Sequence, residues 1–379
     1  GICSLNPNTN RLALSCVMKI NNKGEVVDYR IFESVICSKK QMTYNNVNKI
    51  LEENTIPEGY EDFADNLKLM KELSDILRSK MVRRGYLEFD SPEAKILVNE
   101  KCEPIDIVLR SQRTGEKLIE NFMIVANETV AGFVEDMDLP GIYRVHDKPN
   151  PEKLKTFIRF LSLKGYSFNM DVNKIKNYSY QKMLDMFKDK EEGSILSSLA
   201  IQTMAKAKYS NVNIGHFGLG SKRYSHFTSP IRRYPDLTLH RLVKDYLKKY
   251  STKTISKWEK LLPVIADHSS IKEQDSINCE RDVEKMKKAQ YMEGHIGEVF
   301  KGVVSGVCEF GIFVQLENTV EGLVKVEDIK GDYYVYDKEL GIMVGKNSKN
   351  RYMFGDVVTV EVINASRETS MVDFKIVKD

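Results

Sequence analysis

Two adjacent arginines, Arg232 and Arg233, stand just before an amphipathic stretch that starts at Pro235. Proline and an acidic residue such as Asp236 are typical of the first turn of a helix, where proline loses no needed N–H and a carboxylate suits the helix dipole. Guanidinium groups placed there can form forked hydrogen bonds with phosphate oxygens, and the N–H groups of the helix can add to them. The pattern therefore indicates a phosphate-binding site at the start of this helix.

Hydroxyl-bearing residues and glycines precede the arginines. Ser225, Thr228 and Ser229 can donate to the same phosphate oxygens, and three glycines between residues 215 and 220 allow close approach of the backbone. Residues 221–249 contain eight Lys or Arg and two Asp, a local charge of +6, whereas the whole chain carries +3. A nucleic-acid track needs such a concentration of charge, but a solvated basic helix would show the same charge. The charge alone leaves both interpretations open.

Length and composition are those of an ordinary globular chain. The 379 residues, 42% hydrophobic and 29% charged, suffice for two or three domains. No apolar run approaches the roughly 18 residues of a membrane span, and the start of the chain has no signal-peptide pattern, so we expect no membrane partner. The six cysteines are scattered without a C-x-x-C pair, which argues against a zinc site or disulfide scaffold and fits a reducing cytoplasm.

The elements that must position the arginines can be read from the spacing of apolar residues. Alternation predicts a hairpin over residues 11–37 and short strands over 86–90, 94–98, 106–109 and 141–145. Helical spacing predicts helices over 41–53, 61–84, 119–137, 151–164, 176–187 and 196–206. From Gly294 the chain becomes glycine-punctuated, and five short strands between Gly297 and Val377 predict an OB-fold barrel.

The segment GHFGLG, followed by HFTSPIRRYPDL, resembles the signature of the ribonuclease II and ribonuclease R family. The segments GICSLNPN, EFDSPEAKI, LIENFMIVAN, GIYRVHDKP and CERDVEKMKKAQYM resemble other parts of that family, so the likeness runs from Gly1 to the C-terminus. VSGVCEFGIFVQL with EGLVKV resembles the RNA-binding module named for the ribosomal S-one protein. The insertion GDYYVYDKELGIMVGKNSKNRYMFGD is more similar to ribonuclease R than to ribonuclease II.

The resemblance implies an α+β fold in two parts. Residues 1–291 would be an RNB-type catalytic domain, a mixed sheet flanked by helices whose N-terminal part lies outside this chain. Residues 292–379 would be an all-β, five-stranded OB-fold barrel that binds RNA. We expect a monomer, and the missing N-terminal part bound as a separate chain is left open as a further partner.

The resemblance also implies an activity. The parent protein would be a processive 3′-to-5′ exoribonuclease that hydrolyses single-stranded or structured RNA to nucleoside 5′-monophosphates. Catalysis in the family needs Mg²⁺ held by an aspartate cluster, and in the family that cluster precedes the GICSLNPN segment. We therefore expect no metal ligand in this chain and no activity of the chain alone. A non-catalytic RNA-binding module and a degenerate relative that acts as an interaction protein remain the alternatives.

The family motif also assigns roles to the segment that carries Arg232 and Arg233, called the arginine loop below. By resemblance, Arg232 reaches the scissile phosphate or its neighbour, and Arg233 supports the adjacent backbone. Ser229, in the same motif, is a further candidate for RNA binding. For both arginines the alternative is an ion pair with Asp236 or another acid.

Two aromatic residues, Tyr44 and Phe89, are candidates for stacking on RNA bases. By resemblance, Tyr44 governs the length of the end product and Phe89 is one jaw of a clamp on the terminal base. Core packing is the alternative for each, since that is the usual place of a lone aromatic residue.

Two carboxylates complete the candidates in the first part. Glu280 is expected on the inward side of its helix, where by resemblance it accepts hydrogen bonds from the terminal ribose; an ion pair with Arg281 or Lys287 is the alternative. Glu120 matches a family position that contacts RNA, but it is also predicted near a helix start, where a negative charge is favourable by itself.

Three residues of the predicted barrel are expected to contact RNA. Phe310 and Phe313 flank Gly311 and would stack on bases, although Phe313 alternates with Ile312 and could be partly core. Lys325 stands where many relatives carry histidine, so we expect this barrel to hold RNA more by charge than by stacking.

Overall fold

A long β-hairpin opens the chain in the computed structural model, which describes residues 1–88, 93–168, 171–187, 190, 193–248, 250–338 and 340–377. Strands β1 (Asn10–Ile20) and β2 (Val26–Cys37) pair antiparallel along their length. Gly24 makes the turn with a φ of 78°, in the left-handed region that favours glycine. The hairpin predicted from the alternation is confirmed.

α-Helices form most of the regular secondary structure in the described part of the first 292 residues. Their bounds are α1 (Tyr44–Glu53), α2 (Ala64–Arg83), α3 (Thr114–Asp136), α4 (Pro151–Leu163), α5 (Asn177–Asp185), α6 (Gly193–Thr203), α7 (Tyr234–Leu247) and α8 (Thr252–Met292). Helix α3 packs against α1, α2 and β2, and one side of it is fully buried, as Leu118, Val130 and Val134 show. This central helix supports the loop that carries the arginines. Among the described residues, no helix combines the length and apolar character needed to cross a bilayer.

The remaining strands of the first part form short ribbons. Strand β3 (Glu93–Val98) pairs with β4 (Pro104–Arg110), and β5 (Tyr143–Val145) pairs with β6 (Lys208–Ser210), both antiparallel. Within the described ranges, the strands of this part therefore form three two-stranded ribbons rather than the single mixed sheet expected.

The strand predicted over residues 86–90 is wrong for the part of it that the structure describes. The N–H of Tyr86 donates to Met81 at the end of α2, and that of Leu87 donates to Gly218. The N–H of Glu88 donates to the side chain of Gln181. Because these donors bind a helix end, a loop and a side chain, the segment has no strand partner.

The last part is a closed five-stranded barrel, as predicted. Its strands are β7 (Val299–Cys308), β8 (Gly311–Leu316), β9 (Glu321–Lys325), β13 (Val357–Ser366) and β14 (Met371–Ile376). The order around the barrel is β13-β14-β9-β8-β7, in which only the β14–β9 pair is parallel. The insertion between β9 and β13 forms a separate small sheet of β10 (Tyr334–Asp337), β11 (Ile342–Gly345) and β12 (Arg351–Tyr352).

The core of the barrel extends beyond its own strands. Ala289 and Met292, at the end of α8, are 1% and 0% exposed and belong to the same apolar cluster as barrel residues such as Phe374. Ile107 of β4 joins this cluster from the first part, and Ile96 of β3 packs against it. The barrel is therefore held against α8 and the β3–β4 ribbon by continuous apolar packing.

Candidate nucleic-acid interface

The glycine-rich turn before the arginines is fixed by its own backbone. Phe217–Leu219 form a short 3₁₀ helix, and the His216 side chain caps it by accepting from the N–H of Leu219 at 3.2 Å. Gly220 ends it with a φ of 57°, and a Cβ there would lie 2.9 Å from the carbonyl oxygen of Arg84. Only glycine meets both conditions without strain, so this turn seats the loop against the end of α2.

Asn127 of α3 holds the next part of the loop. Its amide donates to the Tyr224 hydroxyl at 3.0 Å, and its side-chain oxygen accepts from the N–H of Phe227 at 2.9 Å. Ser225 is buried, and its hydroxyl donates to the carbonyl oxygen of Ile142 at 2.5 Å. The prediction that Ser225 donates to phosphate is therefore wrong, because the hydroxyl is used inside the fold. A signal for Asn127 in the sequence is its polar side chain on a largely apolar side of α3, which also carries Asn121 and Thr129.

Asp236, in the first turn of α7, organises the loop that bears the arginines. Its carboxylate is fully buried, and one oxygen accepts from both the N–H of Ser229 and a guanidinium nitrogen of Arg233, each at 2.8 Å. The carbonyl oxygen of Ser229 in turn accepts from the N–H of Arg233 at 3.1 Å. The ion pair considered as the alternative for Arg233 is thus formed, and it ties the loop to the helix start.

Arg232 differs from its neighbour in having no acidic partner. Its side chain is exposed, and no ion pair involves it in the described part of the chain. Ile231 and Tyr234, on either side of the arginine pair, are 73% and 51% exposed. The turn between Ser229 and α7 therefore presents one unpaired guanidinium to solvent, which suits a site for an oxyanion.

Behind this turn lies a largely buried histidine, His226, in surroundings that favour its neutral form. The pKa of His226 is lowered to about 2, first because the ring is buried and then because Arg233 and Arg144 disfavour its protonated form. Its Nδ1 lies 2.9 Å from the hydroxyl of Tyr209. His226 is therefore neutral at physiological pH, and the arginines supply the positive charge of the loop.

Glu120 and Tyr44 lie on two neighbouring helices. Helix α3 begins at Thr114, so Glu120 is in its second turn and the expected position near the helix start is wrong. The Glu120 carboxylate instead accepts from the Tyr86 hydroxyl at 2.7 Å. Tyr44 is the first residue of α1, follows the capping residue Thr43 and is 43% exposed, so it is not a core residue.

Tyr86 is a residue that the sequence interpretation missed as a site candidate. The guanidinium of Arg78 lies 4.2 Å from the centre of its ring and binds Glu88 at 2.5 Å. Burial and the neighbouring Glu120 raise the pKa of Tyr86 to about 12, so its hydroxyl remains a proton donor. Phe89, which is predicted to clamp the terminal base, follows Glu88 in the sequence but lies outside the described residues.

Glu280 is exposed on α8, so the expected inward orientation is wrong. Within the described ranges Glu280 forms no ion pair with either expected partner, Arg281 or Lys287. Lys287 instead donates to the carbonyl oxygen of Cys102 and to the side chain of Gln290. The carboxylate is therefore free to accept hydrogen bonds from a ligand.

The three barrel candidates come together at one edge of the barrel. Phe310 is 57% exposed, and its ring centre lies 6.0 Å from that of Phe313 in an edge-to-face arrangement of 89°. Phe313 points away from the core that Ile312 fills, since Ile312 is 0% exposed. Lys325 lies opposite Gly311 in the strand pairing and 3.9 Å from Asp373. Two rings and an ammonium group on one surface can bind an RNA base and its phosphate.

The candidates thus fall into separate groups. The structure brings together Ser229, Arg232 and Arg233 on one loop, and Phe310, Phe313 and Lys325 on the barrel. No hydrogen bond or ion pair within the described residues joins these groups to Tyr44, Glu120 or Glu280. The described residues also contain no group of three His, Cys, Asp or Glu side chains that could hold a metal ion, so the residues present do not fit a magnesium site.

Comparison with known proteins gives matches over the whole chain. The family description "RNB domain" matches residues 1–249, and "S1 RNA binding domain" matches residues 294–376. Ribonuclease R 1 of Lactococcus lactis is 43% identical over 99% of this chain and 46% of its own length. Ribonuclease R of Thermotoga maritima is 41% identical over 100% of this chain and 54% of its own length. The chain spans about half the length of these curated relatives.

A solved structure has the same fold. Ribonuclease R of Mycoplasma genitalium, in complex with ribose-methylated single-stranded RNA, superposes with a TM-score of 0.95 at 30% identity. The superposition covers 99% of this chain and 59% of that one. The expected likeness over the whole length and the expected order of two domain types are confirmed.

Proposed function

Because the chain belongs to the RNB-domain family, we propose that it is the RNA-holding part of a processive 3′-to-5′ exoribonuclease of the ribonuclease R type. The whole protein would release nucleoside 5′-monophosphates from single-stranded or structured RNA. The observation that carries this proposal is the exposed, unpaired guanidinium of Arg232, fixed by the bonds of Asp236 to Ser229 and Arg233. A phosphate oxygen of RNA is the partner that this geometry suits.

Each part of the chain has a role in this proposal. Residues 1–291 hold the 3′ end, and residues 292–379 bind RNA further upstream through Phe310, Phe313 and Lys325. Arg232 contacts the reacting phosphate. Arg233 positions the loop, and Ser229 on the same loop lies beside the RNA backbone. Tyr44, Phe89, Glu120 and Glu280 contact the terminal nucleotides. We further propose that the protein works as a monomer, and its six unpaired cysteines favour a reducing compartment such as the cytoplasm.

Magnesium enters the proposal as a cofactor of the whole protein. Its ligands would come from a part of the relatives that this chain does not match, since no cluster of carboxylates forms among the described residues. When bound, the metal would supply an activated water and charge neutralisation. The residues of this chain contribute binding, orientation and the positive charge of Arg232.

A second candidate function is RNA binding without catalysis. The lack of a metal-binding cluster in the described ranges favours it for this chain taken alone. Activity of the chain joined to the matching upstream segment of a relative would separate the two candidates, because only the exoribonuclease would then degrade RNA.

The chain alone is expected to bind single-stranded RNA without cleaving it. Binding should weaken with salt, with a slope of roughly −0.7 per phosphate contact on logarithmic axes. Hydrolysis should be undetectable, because no carboxylate cluster fixes Mg²⁺ beside the phosphate. Labelled poly-adenylate with magnesium tests both parts, with Arg232→Ala as the control for contaminating nuclease. Release of monophosphates by the wild-type chain but not by this variant would show that a metal site had been overlooked.

Tyr44→Ala is expected to change the final product of the active, full-length protein. If the exposed ring of Tyr44 holds the short end of the substrate, its loss should lengthen the limit product by one nucleotide or more and leave processive degradation intact. Sizing the limit products on a gel measures this. An end product of unchanged length would remove Tyr44 from the RNA-binding surface.

A further inference from the structure

His226 lies six positions before Arg232, in the segment that leads into the arginine loop. Its ring is held between two tyrosines: the ring centres of Tyr209 and Tyr224 each lie 5.6 Å from it, in edge-to-face arrangements of 73° and 82°. Both tyrosines are buried, at 4% and 7% exposure. The imidazole therefore has one fixed orientation, because packed rings on two sides leave it no room to turn.

Tyr209 is itself fixed from two sides. Its N–H donates to the hydroxyl of Ser270 on α8 at 2.9 Å, and the guanidinium of Arg144 on β5 lies 4.7 Å from the centre of its ring. Arg144 in turn forms an ion pair at 2.5 Å with Glu273, which lies on α8 three positions after Ser270. The position of the Tyr209 hydroxyl relative to His226 is therefore set by α8 and β5 before any ligand arrives.

The bond between Tyr209 and His226 decides which imidazole nitrogen carries the hydrogen. The Tyr209 hydroxyl lies 2.9 Å from Nδ1, and burial raises the pKa of this tyrosine to about 12, so the phenol keeps its proton. Within the described ranges, Nδ1 is the only acceptor for this O–H. A buried O–H without an acceptor is costly. The phenol therefore donates to Nδ1, and the hydrogen of the neutral ring lies on Nε2.

The Nε2–H of His226 is left for a ligand. In the part of the chain that the structure describes, the ring forms its one hydrogen bond through Nδ1, and Nε2 has no partner. Nε2 is also not closed off from solvent, in contrast to the hydroxyl of Thr228, which is buried without a partner. An accessible N–H that no protein group uses can donate to an oxygen atom of a bound molecule.

The groups that face His226 keep the ring neutral and attract anions. They are three arginines, a histidine whose pKa is lowered and two tyrosines whose pKa values are raised by burial: Arg144, Arg232, Arg233, His216, Tyr209 and Tyr224. Arg232 is close enough for its charge to act on the His226 ring. His226 thus offers a hydrogen bond without a charge, whereas Arg232 offers both.

We propose that His226 is a further RNA-binding residue, whose Nε2–H donates to a phosphate oxygen of RNA beside the phosphate that Arg232 binds. Tyr209 is then the positioning residue that fixes this tautomer from the buried side of the ring. This role rests on the proposed function, since the ligand is RNA, but it adds a donor that carries no charge. A phosphate oxygen is the acceptor that fits, because the arginines around the ring already attract anions.

His226→Phe in the full 379-residue chain removes the donor and keeps an aromatic ring between the tyrosines. Its affinity for labelled poly-adenylate should be roughly fivefold lower, the usual effect of losing one neutral hydrogen bond. The salt slope should not change, whereas Arg232→Ala should reduce it by about 0.7, because only the arginine neutralises a phosphate. His226→Gln keeps an N–H donor and should recover most of the affinity. His268→Phe, which replaces an exposed histidine of α8, is the matched control and should bind like the wild type.

The pH dependence of binding and the spectrum of the ring test the tautomer. The ratio of wild-type to His226→Phe affinity should stay constant between about pH 5.5 and 8, because the ring is neutral throughout this range. A proton–nitrogen correlation spectrum of the chain with labelled histidine should show His226 in the Nε2–H form. Tyr209→Phe should show a mixture of both neutral forms, because the donor to Nδ1 is gone.

Each outcome decides one statement. Weaker binding by His226→Phe at an unchanged salt slope, with recovery in His226→Gln, supports the donor. Equal affinity of His226→Phe and the wild type, or equal losses in both His226 variants, overturns it while the proposed function stands. A wild-type chain that binds no RNA overturns the proposed function itself. A ratio that grows as the pH falls would mean that the charged ring binds RNA, and the tautomer would be wrong.

A measurement on the wild-type chain covers the case in which His226→Phe does not fold by circular dichroism. The Nε2–H signal of His226 should shift when poly-adenylate is added, because the hydrogen bond to phosphate replaces one to water. An unchanged signal in a chain that binds the RNA would overturn the role of His226 without any substitution.

Discussion

Arg232→Ala, in a polypeptide that joins this chain to the upstream segment of its family, is expected to lower kcat for RNA degradation by roughly 100- to 1000-fold. The guanidinium is exposed and unpaired in the described structure, so its charge is available to the phosphate. Charge that develops on the phosphate oxygens is stabilised by such a group more than the ground state is, so affinity for RNA should fall much less.

Single-turnover decay of a labelled oligonucleotide separates the two effects. Arg241→Ala is the matched control, because Arg241 is also exposed and lies on α7 beyond the loop. Arg232→Lys should recover only part of the rate, since an ammonium group cannot form the forked pair of hydrogen bonds. Equal turnover of Arg232→Ala and the wild type would remove Arg232 from the catalytic residues.

Asp236→Ala is expected to destabilise the first part of the chain by about 3–5 kcal/mol, the usual cost of breaking a buried ion pair from one side. The substitution leaves Arg233, whose side chain is 19% exposed, without its partner, and it removes the acceptor of the Ser229 N–H. Because the same carboxylate fixes the turn that presents Arg232, RNA binding should weaken as well, even below the unfolding temperature.

Urea unfolding measures the stability effect, and Asp282→Ala is the matched control, since Asp282 is exposed on α8 without an ion-pair partner in the described ranges. The double variant Arg233→Ala with Asp236→Ala should be less unstable than the sum of the single variants, because it leaves no unpaired charge. Additive losses would mean that the pair contributes little and that the cost arises from packing alone.

Features that depend on local chemistry were predicted from the sequence. Pro235 and Asp236 predicted the start of α7, and short strand-like runs separated by glycines predicted the five barrel strands. Both predictions succeeded because caps, turns and periodicity act over a few residues. Features that depend on distant partners were not. The hydroxyl of Ser225 binds a carbonyl 83 positions away, at Ile142, and no local pattern shows that.

The orientation of Glu280 shows a second limit. Helix α8 runs for 41 residues and packs in turn on α7, β6, the β3–β4 ribbon and the barrel strands. Its buried face therefore shifts along its length, and an apolar stripe extrapolated from neighbouring positions gave the wrong side.

The apolar cluster shared by the barrel, the end of α8 and β4 constrains how such chains can be recombined. A barrel exchanged between relatives at the linear boundary near residue 292 would leave behind Ala289 and Ile107, which complete its core. The new barrel would then pack against residues of α8 and β4 that fit the old barrel, so the packing between the two parts would be mismatched. The core residues of this barrel and their partners on α8 and the β3–β4 ribbon must therefore change together.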